Sequence, residues 1–398
     1  MKKRLIFFLL LLSLFLVSCT KKEDDTSSDK CTLTIDYNLE GVDNDTIEYD
    51  YASLVSLPDN HYKNFKGWSW SVSGEEIIEV DFPIYKNETI FALYYESTEK
   101  HEFNLNNVDF KNPESNKNLE IVSRVNYTIY KDITYKVVND IDLKLDIYYP
   151  KNDSSLKGVV FSYYGGGWVA GSKESTYYNL LYTDLALSGM VIVCPNYRLC
   201  NGSTKFPDPV EDTLDAIRYI VKYQEVLDID VNKMGSIGYS AGGHLALMAG
   251  FAQNYFKSYE PLASYDFKLK FVCDYFGPAV FDSDAASGLS TEGLFFLNSY
   301  LGSLDLTNPE LEKAMPTYYL DENSPDVIII HGSKDALVPI TQSINLCQMC
   351  NDRGMKTKMI IVEGGTHMLS AASGVSSVKP SLLEVFRETT SFIIDAIK

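Results

Sequence analysis

The chain has 398 residues, carries a formal net charge of −19, and is 45% hydrophobic with 13% aromatic residues. Its length suggests about two or three domains, and its apolar content is ample for packed cores, which excludes global disorder. An acidic balance without any basic stripe repels phosphates, so nucleic acid is excluded as a partner.

The N-terminus opens with Lys2-Lys3-Arg4 and an apolar run from Leu5 to Val17. A basic start before a short hydrophobic stretch predicts a secretory signal, because the run is too short for a comfortable spanning helix. The stretch Leu16-Val17-Ser18-Cys19 resembles the bacterial lipobox. That resemblance implies a signal peptide over 1–18, lipidation of Cys19, and a protein exported and held by its lipid to the cell membrane or outer membrane. Each buried methylene of such an anchor contributes about 0.8 kcal/mol. Residues 19–30, with Lys21-Lys22-Glu23-Asp24-Asp25, predict a solvated tether. The lysine-then-acidic order also resembles the surface-export signal of Bacteroides-type lipoproteins.

Residues 31–98 predict a small β-rich module. Cys31 to Tyr37 alternates with period two, Phe65-Lys66-Gly67-Trp68 lies mid-module, and Thr89 to Tyr95 forms a second apolar strand. This layout resembles the Listeria–Bacteroides cell-surface repeat, which implies a spacer or adhesion element. Trp68 and Trp70 are expected in its core, with a carbohydrate platform as the alternative. Residues 99–128 predict a linker or an added edge segment.

From 129 to 398 strands alternate with helices, which predicts an α/β fold with a mainly parallel central sheet. Strands are expected at Ile129–Val138, Asp142–Tyr149, Gly158–Tyr164, Val191–Pro195, Met234–Gly238, Lys270–Phe276, Val327–His331 and Lys356–Val362, the first two forming a hairpin. Helices are expected at Ser175–Ser188, Val210–Val226, Ala241–Ala252, Ile340–Asp352 and Ser381–Ile397. Of seven cysteines, six remain after Cys19, and sequence cannot choose a pairing among them. Cys347 and Cys350 have redox spacing but fall within a helix, where buried thiols are the better expectation.

Gly238-Tyr239-Ser240-Ala241-Gly242 carries the chemistry. A serine between glycines, after a strand and before a helix, forms a nucleophile elbow with its hydroxyl at the positive helix N-terminus. Serine needs a base, and only five histidines are available. His61 and His101 precede the α/β region, His244 lies beneath the elbow, and His331 comes only four residues before the best acid. His367, in the late loop Glu363-Gly364-Gly365-Thr366-His367, is left as the base. The acid is expected just past a parallel strand, at Asp335, in preference to Asp321, Asp326 and Glu363. Gly165-Gly166-Gly167-Trp168 ends another strand with three glycines that let backbone approach a ligand oxygen. Gly166, Gly167 and Ala241 are the expected oxyanion donors, with Gly165 as an alternative, while Trp168 and Tyr239 are expected to shape the acyl side.

With Asn196-Tyr197-Arg198-Leu199, Phe206-Pro207 and Asp212, the region resembles the α/β-hydrolases of the hormone-sensitive-lipase and bacterial carboxylesterase group, including its feruloyl and acetyl-xylan esterase-like branch. The resemblance implies a serine carboxylesterase working through an acyl-enzyme on a small ester or an acylated polysaccharide, with no metal or organic cofactor. Members of that group carry histidine before the three glycines, whereas this chain has Tyr164. Its hydroxyl could brace the loop or assist the oxyanion. The segment from Ala279 to Tyr319, with Gly288, Leu289, Leu294, Phe295, Phe296 and Leu297, is placed to be a lid or acyl pocket. The same residues also fit a serine peptidase or amidase, and a non-catalytic surface binding protein is the remaining class. Oligomeric state is not legible.

Overall fold

The computed structural model describes seven strands between residues 30 and 94 by their backbone. From residue 105 it describes all but 109, 111–118, 140, 152–156, 254, 257, 282–288 and 306–307. The signal segment, Cys19, the tether up to residue 29, His61, Trp70, His101 and Gly288 lie outside the described residues, and Lys30 at the tether's end belongs to a strand.

The chain divides into two compact units, Met1–Thr98 and Glu99–Lys398. In the first, β1 (Lys30–Asp36), β2 (Asp45–Asp50), β4 (Phe65–Ser69), β5 (Ile77–Ile78) and β7 (Glu88–Tyr94) form a sheet in the order β2-β1-β7-β4-β5. Strands β1 and β7 pair in parallel and the other neighbours antiparallel. Strands β3 (Leu54–Val55) and β6 (Phe82–Pro83) make a separate antiparallel pair.

The second unit is built on a nine-stranded sheet. Its strands are β8 (Ile121–Ser123), β9 (Tyr127–Val138), β10 (Ile141–Pro150), β11 (Val159–Tyr163), β12 (Val191–Pro195), β13 (Met234–Tyr239), β14 (Phe271–Tyr275), β15 (Asp326–Gly332) and β16 (Thr357–Val362). They run in the order β16-β15-β14-β13-β11-β12-β10-β9-β8. The six strands from β16 to β12 are mutually parallel, and β10, β9 and β8 join antiparallel at one edge. The stretch expected as linker or edge segment therefore supplies the edge strand β8, and Leu105, Val108 and Phe110 ahead of it are buried in the core.

Helices cover both faces: α1 (Asn179–Leu187), α2 (Asp208–Lys222), α3 (Gln224–Leu227), α4 (Ala241–Phe251), α5 (Thr291–Leu301), α6 (Thr341–Asp352) and α7 (Leu382–Ile397). The expected helix at Ser175–Ser188 starts later, at Asn179. The expected single helix Val210–Val226 is two, interrupted at Tyr223. Strands β11, β12 and β14 are buried at every residue, as continuous apolar runs between two helical layers must be. Helix α4 is likewise buried along its whole length, because Leu245, Ala246, Leu247, Met248 and Ala249 leave it no polar face. Among the described residues Cys194, Cys200, Cys273, Cys347 and Cys350 are free thiols; Cys347 is only partly buried. Burial pushes the Cys350 thiol up to about 12.

Two buried ion clusters anchor the loops of this sheet. Lys173 is 3% exposed and its ammonium lies 2.8 Å from both Asp132 and Asp146 and 2.6 Å from Glu174. Burial alone would lower its affinity for the proton, and the three carboxylates more than reverse that. The second cluster joins Lys136 to Asp212 and Asp215, and Asp212 to Arg198. Removing one partner strands the others in low dielectric. Lys173→Met is therefore expected to destabilise the fold by about 3–5 kcal/mol in urea unfolding, and a variant as stable as the parent would contradict this role.

Candidate active site

The parallel strands end at one edge of the sheet, and the expected site residues emerge there from β11, β13, β15 and β16. At the end of β13 the chain turns directly into α4, with Ser240 between them at φ 54° and ψ −125°. That conformation is costly for any residue with a side chain, and its surroundings hold it. A Cβ on Gly238 would come within 2.0 Å of the Gly242 carbonyl oxygen, and one on Gly242 within 2.1 Å of that of Tyr163. Both glycines are there because backbone occupies the space a side chain would need. The turn leaves the Ser240 hydroxyl at the N-terminal end of α4, where unpaired N–H groups concentrate positive potential.

His367 Nε2 is 2.9 Å from Ser240 Oγ, and its Nδ1 is 2.7 Å from Asp335 Oδ2. Nδ1 must donate, since the carboxylate can only accept, and Nε2 is left as the acceptor for the serine proton. The imidazole is partly exposed while the Asp335 carboxylate is shielded from solvent. Asp335 Oδ1 accepts from the Leu337 and Val338 N–H groups at 2.8 and 2.9 Å, a turn that holds the carboxylate from behind. Burial works to raise its pKa, but the His331 and His367 donors and the Val338 N–H outweigh it and keep it well below the usual carboxylate range. Phe276, at the end of β14, lays its ring 4.8 Å from that of His367. The rival acids lie elsewhere: Asp326 pairs with Lys356 at 3.3 Å, Asp321 caps its own turn, and the Glu363 backbone bridges to Lys379.

Gly166 and Gly167 have φ of +117° and +59°, so neither place suits another residue. Their N–H groups donate to no backbone acceptor among the described residues. The N–H of Ala241, first residue of α4, has no partner inside the helix. Tyr164 braces this loop. Its ring stacks on Tyr197 at 4.4 Å, its hydroxyl donates to the Tyr197 carbonyl at 3.4 Å, and the Tyr197 hydroxyl donates back to the Tyr164 carbonyl at 3.0 Å. The Tyr164 hydroxyl is thus engaged with the Tyr197 backbone.

Beside Ser240 lies an apolar cavity of about 40 Å³, lined by Gly167, Trp168, Phe281, Phe296 and Leu297 among others. Trp168 forms part of its wall, stacked on Tyr300 at 4.3 Å. Tyr239 does not line it. The residue before Ser240 points to the other side of the turn, where its hydroxyl bonds to that of Ser175 and its ring meets Tyr177 at 4.6 Å. Tyr239 therefore shapes a different face of the elbow than expected. From the segment after β14, Leu289, Phe296 and Leu297 reach the cavity, whereas Phe295 is 60% exposed. Phe296 presses so closely on the glycine loop that a Cβ on Gly167 would fall 2.3 Å from its ring.

His244 is fully buried beneath the site, with Nε2 donating to the Ala314 carbonyl at 2.8 Å. Burial pulls its pKa down to about 4, against that hydrogen bond. Among the described residues no group of three side chains could hold a metal ion. His331 was passed over by sequence reasoning because it stands so near Asp335, yet that same spacing at a strand end is the signal that the two side chains meet.

The BD-FAE family model matches residues 145–349. A probable isoprenylcysteine alpha-carbonyl methylesterase of Oryza sativa subsp. japonica is 26% identical over 238 residues, covering 56% of this chain and 55% of that protein. The chain spans about half the length of the curated relatives it matches. Among solved structures, a truncated carbohydrate esterase from gut microbiota superposes with a TM-score of 0.58 at 23% identity, over 70% of this chain and 99% of that one. A propionate-bound thermophilic esterase from Thermogutta terrifontis gives 0.54 at 21% identity, over 70% and 94%. The sheet order, the strand–turn–helix at Ser240 and the family match agree: the chain belongs to the BD-FAE family of α/β-hydrolase esterases.

Proposed function

We propose that this protein is a serine carboxylesterase for short-acyl esters carried on polysaccharides, exported and held at the bacterial membrane or outer membrane through lipid on Cys19. The observation that carries the catalytic part is the unbroken hydrogen-bonded line Asp335–His367–Ser240 at 2.7 and 2.9 Å. His367 Nε2 takes the hydroxyl proton as Ser240 Oγ bonds to the ester carbonyl carbon. The Gly166, Gly167 and Ala241 N–H groups receive the oxyanion. The tetrahedral intermediate then expels the alcohol, which takes the proton from His367, and leaves an acyl-serine. Water repeats the sequence, releasing the acid and restoring Ser240.

The cavity beside Ser240 supports the short acyl group. At about 40 Å³ it exceeds the roughly 10–15 Å³ needed by one water, and so suits an acyl tail of a few atoms. Its apolar walls favour acetyl or propionyl over a charged acid. The polysaccharide alcohol is supported by the names of two relatives in fold, the gut-microbiota carbohydrate esterase and a bifunctional GH43-CE protein of Bacteroides eggerthii. Export and anchoring are supported by the basic-then-apolar start that ends at Cys19.

With p-nitrophenyl esters, kcat/KM is expected to fall from acetate to octanoate, and Ser240→Ala to lose about 10⁴-fold or more in kcat. Acetylated xylan should release acetate faster than feruloyl esters release ferulate. Anilide or peptide cleavage outrunning acetate ester hydrolysis would contradict the ester reading. Phe296→Ala opens the cavity, and is expected to raise the octanoate-to-acetate ratio of kcat/KM by about 10-fold. An unchanged ratio would place the acyl group elsewhere.

A further inference from the structure

His331 stands behind the carboxylate that orients His367. It comes from the end of β15 and is wholly buried. Its Nε2 lies 3.1 Å from Asp335 Oδ2 and 2.9 Å from the Val338 carbonyl oxygen, and its Nδ1 lies 2.7 Å from Ser343 Oγ on α6. A carboxylate and a carbonyl can only accept, so Nε2 carries a proton. The Ser343 hydroxyl can donate, which satisfies Nδ1 without a second proton on the ring. Every polar atom around His331 is then paired with the imidazole neutral. The result is one carboxylate oxygen, Asp335 Oδ2, accepting from two imidazoles on opposite sides, while Oδ1 takes two backbone N–H groups.

The geometry points to His331 as a positioning residue for the Asp335–His367 pair, a neutral Nε2–H donor that fixes the carboxylate's orientation and takes up part of its negative charge. The inference rests on the esterase reading above. Its consequence follows from what the carboxylate does for His367. A fully charged acceptor at Nδ1 favours the protonated imidazole, and a donor sharing the same oxygen weakens that preference. The His367 ring is thereby held with Nε2 turned to the serine hydroxyl whose proton it must take. The groups facing Asp335 are His331 from β15, His367 from the loop after β16, and the Leu337 and Val338 N–H groups of its own turn. Phe276, after β14, presents only a ring to the two imidazoles, and α6 presents the uncharged Ser343 hydroxyl.

The test is the pH profile of kcat/KM for p-nitrophenyl acetate in His331→Leu and His331→Gln. Without the donor, His331→Leu should move the acid limb upward by about half a pH unit to one unit and lower kcat about 10-fold. His331→Gln, whose amide can still donate to Oδ2, should return the limb toward that of the parent. An acid limb that stays in place in an active His331→Leu enzyme overturns the proposal, whatever the rate. A second measurement needs no variant: nitrogen-15 imidazole spectra of the full chain at about pH 8 should show His331 protonated at Nε2 and bare at Nδ1. A proton resting on Nδ1 overturns it. Failure to hydrolyse any ester would remove the esterase reading instead, and the tautomer result would stand by itself.

Discussion

The site depends on one tight turn in which backbone packs against backbone. Ser240 keeps a φ of 54° because Gly238 and Gly242 allow β13, α4 and the end of β11 to approach within distances that exclude any Cβ. Loosening that contact would let the serine relax toward ordinary helix geometry and carry its hydroxyl away from His367. The same closeness sets the glycine loop beside the N-terminus of α4, since Tyr163, whose carbonyl meets Gly242, leads straight into Tyr164 and the three glycines. Ser240 and the glycine loop are therefore positioned by a single packing constraint rather than by separate ones.

Around that turn, the polar groups that hold the acid and the glycine loop are paired. Asp335 sits in a cage of two imidazoles and two backbone N–H groups, and Tyr164 and Tyr197 exchange hydrogen bonds behind the glycine loop. Farther out, Lys173 holds Asp132, Asp146 and Glu174, and the Lys173 N–H donates to Asn196 at 2.7 Å, tying the segment after the glycine loop to the end of β12. Such clusters cost stability if one member is lost and confer a fixed geometry while complete. The cavity beside Ser240 depends on that fixity, because Phe296 rests on Gly167 at its wall.

Much of this was legible from residue order alone. The elbow declares itself because only glycine tolerates its flanking positions. His367 followed from elimination, and Asp335 from its place past an apolar parallel strand. The fully buried strands and α4 announced themselves as apolar runs without alternation. What escaped was set by direction rather than by type. Tyr239 adjoins Ser240 in the chain but turns to the opposite side, and no spacing rule conveys which way a residue on a sharp turn will face. Lys136 on β9 is buried with Asp212 and Asp215 on α2, a pairing between positions distant in sequence that no local pattern announces. His331 does carry a signal, its place shortly before Asp335 at a strand end, whereas its bond to Ser343 on α6 depends on packing.

The central claim is that Ser240 is the nucleophile of an acyl-transfer reaction with His367 as its base. Intact mass spectrometry and peptide mapping after exposure to a fluorophosphonate test it most directly, since the reagent needs an activated serine but no knowledge of the natural ester. One adduct per chain is expected, on the peptide containing Ser240, and its loss in His367→Asn although Ser240 is still present. No adduct, or an adduct on another residue that persists in Ser240→Ala, would contradict it.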